Sequence, residues 1–162
     1  MPVVDTSCLT YLIKINKLLF LKTLFSKIFI TEEVLGELEM GFEGVTEIKD
    51  KLNDWIFIEE QENKLEALQL CREEGIEYTD ALLILVAKKK KDILISNDSA
   101  LIRIARIKGV ECWWFTRCII EGLKRKLIKK NEAKEILLSL VKNGMYLDNV
   151  VFAVLLEKID KF

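Results

Sequence analysis

Asp92-Ile93-Leu94-Ile95 runs into Ser96-Asn97-Asp98, then into Ser99 to Ile107, Gly109, and Val110-Glu111-Cys112-Trp113-Trp114. The compact apolar run reads as a buried strand. The 99–107 stretch reads as a helix stopped at Gly109, and Val110 to Trp114 as the next strand. Two strands joined through a helix pair in parallel, because the crossover returns the chain to the same edge of the sheet. Upstream the pattern repeats. Pro2 to Asp5 is a strand, Ser7 to about Phe25 one or two helices, and Lys27 to Ile30 a second strand. Thr31 is the expected N-cap of a helix closed by Gly41 and Gly44. A short helix leads to a third strand at Trp55 to Ile58, and Asn63 to Arg72 forms a helix ending at Gly75. Thr79 is expected to cap a helix through Ala81 to Ala87. The order predicts an α/β fold with a central parallel sheet covered by helices on both faces.

Beyond Arg117 the pattern is purely helical. Ala133, Ile136, Leu137, Leu140 and Val141 fall at i, i+3, i+4, i+7 and i+8, an amphipathic stripe. Gly144 ends that helix, and Leu147 to Ile159 offers another. With no linker or composition shift at the junction, residues 116–162 are expected to pack as an extension on the domain formed by residues 1–115. The 131–143 stripe and the Val150 to Leu156 segment exceed what a thin appendage needs, which predicts a two-fold homodimer.

The length of 162 residues suits one domain with enough buried surface to need no disulfide. Charges nearly cancel, 25 basic against 26 acidic, which argues against a generally polybasic nucleic-acid binder. Histidine is absent, so Ser-His-Asp and Cys-His nucleophile systems, a histidine base and His-containing zinc or iron sites are excluded. Cys8, Cys71, Cys112 and Cys118 form no C-x-x-C pair and read as small buried hydrophobes in a reducing cytoplasm. No apolar span reaches the ~18 residues of a membrane helix, and the N-terminus lacks the pattern of a signal peptide.

Carboxylates are the remaining chemistry. Asp5 ends the first strand, Asp98 follows the strand at 93–95, Asp80 begins a helix, and Glu37 lies about two turns into the helix after the second strand. Each has a structural explanation: Asp98 as an N-cap, Asp80 as a first-turn acid, Glu37 as a solvated neighbour of Glu32, Glu33 and Glu39. Asp5 is the hardest to explain that way, since an acid at the end of a buried run needs a partner and no basic residue is near. Two carboxylates ~4 Å apart repel by roughly 4 kcal/mol at an effective dielectric of about 20. Four on one rim need a cation, and oxygen-only ligands select Mg²⁺ or Mn²⁺ over zinc.

The blocks Val3 to Ser7, Thr31 to Leu38, Gly75 to Leu82 and Ile95 to Asp98 resemble PIN-domain proteins, a family that contains metal-dependent ribonucleases and the toxins of prokaryotic toxin–antitoxin pairs. The resemblance covers residues 1 to about 115, and the C-terminal helices look like the extension of a prokaryotic PIN subgroup. It implies a three-layer α/β/α domain and an acidic quartet of Asp5, Glu37, Asp80 and Asp98. Asp5, Asp80 and Asp98 would hold one Mg²⁺ or Mn²⁺, or two, while Glu37 orients or deprotonates water. It also implies cleavage of RNA phosphodiesters, with Ser96 matching the hydroxyl residue before the last acid and Thr6 or Ser7 the one after the first, Thr6 and Ser96 being taken to the substrate side, and an antitoxin as a partner if the chain is a toxin. Some relatives carry a further acid just after the last one; here Ser99-Ala100-Leu101 follows.

A basic stretch from Arg117 to Lys134 carries seven cations against two acids, and Lys124 and Arg125 are candidates for phosphate contact. Lys88 to Lys91 reads better as the cationic end of a helix. Trp113 and Trp114 must point to opposite faces of a strand, one into the core and the other toward an interface or a base, with the interface favoured. The competing function is a PIN-fold module that binds RNA or protein with little turnover. A phosphoaspartate enzyme fits worse, because Asp5-Thr6-Ser7 lacks a second acid two residues on.

Overall fold

The strands are short and apolar, and every one is buried where it meets the sheet centre, the pattern of a parallel sheet covered on both faces. The computed structural model describes residues 1–41, 44–60 and 62–162. In chain order its elements are β1 (Val3–Val4), α1 (Thr6–Lys14), α2 (Leu19–Phe25), β2 (Ile28–Ile30), α3 (Glu32–Gly41) and α4 (Val45–Lys49). Then come β3 (Ile56–Ile58), α5 (Lys64–Glu74), α6 (Tyr78–Lys90), β4 (Leu94–Ser96), α7 (Ser99–Ile107) and β5 (Cys112–Trp114). The chain closes with α8 (Phe115–Lys124), α9 (Lys130–Lys142) and α10 (Asn149–Asp160). Among the described residues no helix is long and apolar enough to cross a membrane.

All five strands are parallel, in the order β3-β2-β1-β4-β5. The order reverses between β1 and β4, which pair through Val3 with Leu94 and Val4 with Ile95. Right-handed crossovers on either side of that reversal send α1–α4 to one face and α5–α7 to the other. The packing agrees: α1 lies on α3, while Glu74 at the end of α5 pairs with Lys108 after α7 at 2.6 Å. This is the three-layer α/β/α architecture expected. The centrepiece is α6, in which every residue from Ala81 to Ala87 is buried. A helix apolar all round lies inside a protein, here on β1 and β4 beneath α5.

Two local expectations shift. The helix bearing Asp80 starts at Tyr78, with Glu77 rather than Thr79 at its cap position. Only Gly75 to Glu77 separate α5 from α6, and Ala81 N–H already bonds the Glu77 carbonyl at 3.1 Å, so the helix begins two residues early. Cys71 is half-exposed, unlike Cys8, Cys112 and Cys118, which are buried as expected; all four are free thiols. Trp55 is core, and Thr31 does cap α3, accepting from Val34 N–H at 3.2 Å.

Residues 116–162 share one hydrophobic core with the rest: Ile119, Ile136, Leu140 and Ile159 belong to the same buried cluster as the strands. Most of the 131–143 stripe is spent on this core, leaving Val141 at its edge. The closest approach is at Gly122 in α8, where a Cβ would come within 3.0 Å of Phe20 Cε2 in α2 and 3.2 Å of Ile128. Gly122→Leu should therefore overpack this seam and lower stability by about 1–3 kcal/mol. Urea unfolding followed by far-ultraviolet circular dichroism and by tryptophan fluorescence should show one coincident, earlier transition; separated transitions would show that the C-terminal helices unfold as a unit of their own.

Candidate active site

The switch in strand order leaves a crevice beyond the carboxyl ends of β1 and β4, the place where open parallel sheets bind ligands. Asp5 leaves β1 into this crevice and Ser96-Asn97-Asp98 leaves β4 into it, side by side through the Val4–Ile95 pairing. Asp5 is only 7% exposed. Among the described residues no lysine or arginine pairs with it. Its Oδ2 accepts from Ser7 Oγ at 2.7 Å and from Ser96 Oγ at 2.8 Å. Both hydroxyls also accept from the neighbouring loop: Asn97 N–H donates to Ser7 Oγ at 3.4 Å and Asp98 N–H to Ser96 Oγ at 2.9 Å. The two serines therefore clamp the end of β1 to the end of β4.

Asp98 is the N-cap of α7, its Oδ1 accepting from Ala100 N–H at 2.7 Å and Leu101 N–H at 2.9 Å. The capping explanation is correct, and it is compatible with a site role, because both bonds fall on one oxygen. Asp80 sits in the first turn of α6, half-buried. Glu37 is exposed on α3 and accepts from the Thr6 hydroxyl. Thr6 and Ser96, expected on the substrate side, thus have other partners. Ser96 is fully buried and holds Asp5, while Thr6 orients Glu37. Ser7 is the hydroxyl next to Asp5 that matters, and a serine two residues beyond an aspartate at a helix start is the signal that points to it. Asn97, which sequence reasoning missed, accepts from Phe115 N–H at 3.3 Å through Oδ1; its Nδ2 is buried without a hydrogen-bond partner among the described residues.

The charges act on one another. Burial raises the Asp80 carboxyl to about 7, helped by repulsion from Asp5, Asp98, Glu77 and Glu37 in that order. Asp5 is also raised, by burial first; Ser7 and Ser96 oppose this, and Glu37 adds repulsion. Asp80 therefore lies within electrostatic reach of Asp5, Asp98 and Glu37, and Asp5 within reach of Glu37. No hydrogen bond or ion pair among the described residues joins Asp5, Asp80 or Asp98 to a lysine or arginine. Nor do three His, Cys, Asp or Glu side chains there stand at the spacing of a formed metal centre. Like charges account for the spread, with Asp5, Glu37 and Asp98 each turned to a donor of the chain itself. As a donor set the quartet fits Mg²⁺ or Mn²⁺: all oxygen, net negative, partly desolvated and unmatched by any cation. Thiol chemistry does not fit, since burial pushes Cys118 up to about 12 and Cys8 well above the ordinary thiol range.

The basic residues divide. Lys88 to Lys91 end α6, where Lys89 and Lys90 pair with Glu59. Lys124 and Arg125 both reach Glu121, at 2.7 and 4.0 Å, and Arg125 also donates to the Leu24 carbonyl at 3.2 Å. Lys130 and Lys134 turn to Asp160. Much of the local positive charge is thus matched within the fold. Trp113 is core, whereas Trp114 is 37% exposed and stands beside Ser96 in register at the carboxyl edge.

Residues 1–161 match the family model DUF3368, described as a PIN domain. The match takes in the C-terminal helices as well as the first 115 residues. No curated protein and no solved structure matches the chain.

The raised Asp80 carboxyl carries a stability consequence. Between about pH 4, where an unfolded aspartate titrates, and about pH 7 the folded protein binds the extra proton, so stability is highest at the acid end and falls as pH rises through this window. Asp80 is half-exposed, so water screens part of the repulsion and the loss stays well below the full linkage value. Thermal melts in EDTA across this range should show the decline, with Asp80→Asn flattening it. A wild-type slope of zero or of opposite sign would contradict the electrostatic account.

Proposed function

The chain belongs to the PIN-domain family, and from that premise we propose that it is a Mg²⁺- or Mn²⁺-dependent endoribonuclease. PIN domains are generally nucleases, and the observation that carries this reading is the meeting of Asp5 and Asp98 at the strand-order switch, with Asp80 raised to about 7 by burial and their repulsion. In this proposal Asp5, Asp80 and Asp98 hold the cation. When bound, the cation neutralises the scissile phosphate and makes water more acidic. Ser7 and Ser96 fix the Asp5 carboxylate through one oxygen, which leaves the other free of these two bonds. Glu37, steadied by Thr6, takes the proton from the attacking water. Lys124 and Arg125 contact substrate phosphates outside the crevice, exchanging Glu121 for them.

The same reading sets the protein in the cytoplasm, where its four free thiols stay reduced. It includes a homodimer, for which the support is exposed Val150 and Val154, one turn apart on α10. A toxin role adds an antitoxin partner, and a small reading frame immediately upstream is the observation that tests it. The competing proposal, a module that binds RNA with little turnover, draws on one feature: Asp5 and Asp98 are already engaged by donors of their own chain.

Mn²⁺ at 100 times its dissociation constant should raise stability by roughly 2.7 kcal/mol. The loaded protein should cleave RNA, EDTA should stop it, and Asp5→Asn, Asp80→Asn and Asp98→Asn should each abolish cleavage with the fold retained. Asparagine caps helices as well as aspartate, so Asp98→Asn separates ligation from capping. Calorimetry with Mn²⁺ and a labelled RNA assay check this. Metal binding without cleavage favours the binding module, and neither overturns the nuclease.

A further inference from the structure

Next to Asp98 the C-terminal extension forms one wall of a cleft of about 700 Å³. Trp114 and Tyr11 line it from the domain, and Met145, Tyr146 and Val151 from the α9–α10 loop and the start of α10. Among the described residues no lysine or arginine lines it, and Asp98 and Asp148 do. The wall is built rather than loosely laid. Tyr11 Oη donates to the Gly144 carbonyl at 3.2 Å, Met145 is buried, and Asp148 caps α10 by accepting from Val150 N–H at 2.9 Å. Around Trp114 and Thr116 the cleft continues into a shallower hollow of about 440 Å³ that carries Arg117, Lys124 and Lys158 against one acid, Glu121, which pairs with Lys124.

We propose that this cleft is a stacking groove for unpaired bases, in which a single-stranded RNA lays one or two bases against Trp114 and Tyr146 beside the phosphate presented to the acids. The proposal deepens the nuclease reading and rests on it for the identity of the ligand. Three observations carry it. Trp114 stands at the carboxyl edge in register with Ser96, so its indole is on the same rim as Asp5 and Asp98. Tyr146 is 86% exposed, a ring that packing within the chain leaves uncovered. The apolar cleft and the cationic hollow share Trp114 and Thr116, so flat apolar surface alternates with positive charge, as bases alternate with phosphates along a strand. A duplex hides its base faces and cannot use such a groove. An apolar peptide would have no use for the neighbouring cations.

The test measures binding in EDTA by fluorescence anisotropy, with labelled oligouridine and oligoadenosine and with a fully paired RNA duplex of equal length. Cleavage is measured in parallel with Mn²⁺. Trp114→Ala and Tyr146→Ala should each weaken single-strand binding at least about fivefold, the low end for one base–aromatic stack. Trp114→Phe should retain most of it. The salt dependence of binding should match wild type, because no phosphate contact is lost. Binding to the duplex should be weaker throughout and unaffected by either change. Truncating Tyr146 removes no packing, so the proposal stays testable even if Trp114→Ala destabilises the fold. If both variants bind the single strand as wild type does while Mn²⁺-dependent cleavage continues, the groove is overturned and the nuclease stands. If the aromatic variants lose single-strand binding but wild type never cleaves, the groove stands and the nuclease falls. A dimer that buries Tyr146 and ignores the oligonucleotides would overturn the groove in favour of a second copy.

Discussion

A carboxylate that is 7% exposed and, among the described residues, paired with no lysine or arginine is the constraint around which the rest of this fold is arranged. Burying an ion costs several kcal/mol unless hydrogen bonds replace the lost water. For Asp5 two serine hydroxyls do so, both on one oxygen. Each hydroxyl then accepts an N–H from the loop after β4, so the bonds that make Asp5 tolerable also set the path of the chain through Asn97 and Asp98. From there Asp98 starts α7, and the Asn97 side chain receives the first N–H of α8. The end of one strand thus determines where two helices begin.

The same arrangement opposes stability. Burial, with the repulsion of Asp5, Asp98, Glu77 and Glu37 added to it, raises Asp80 to about 7 and leaves the protein working against its own charge. A fold selected only for stability would place a lysine there or remove an acid. The chain has 25 lysines and arginines, and they pair elsewhere: with Glu59, Glu74, Glu121 and Asp160 at the periphery. Repulsion concentrated at one rim, with ion pairs placed at the periphery, is what marks this rim as the candidate site.

Much of this was legible before any coordinates. The strands announced themselves as short apolar runs, and the helices by Thr31, Asp98, Gly75 and Gly109 at their ends. The acids stood out because each followed a strand or opened a helix. Strand order was not legible, because it depends on which runs pair across long stretches of chain; only the β1–β4 pairing makes Asp5 and Asp98 neighbours. The start of α6 was misplaced because Thr79 looks like a cap, and three residues between helices left no room for one. Asn97 and Tyr146 escaped notice for another reason, as did the choice of Ser7 over Thr6 beside Asp5. Their importance lies in contacts and exposure, while polar loop residues look alike in sequence. Lys124 and Arg125 could not be read as half-neutralised, since the matching Glu121 counts for little until a helix turn brings it alongside.

The bond from Tyr11 to the Gly144 carbonyl ties the first helix of the chain to the last turn before α10. The acids lie within the first 98 residues and one wall of the adjoining cleft within the last 20, so the proposed roles of cutting and recognition fall on segments far apart in sequence that meet at an anchored seam. Variation in the 144–151 segment can then reshape what enters the cleft without altering the charge balance of the acids. The two ends of the chain can drift at different rates, and new preferences can arise in a lineage whose chemistry stays the same.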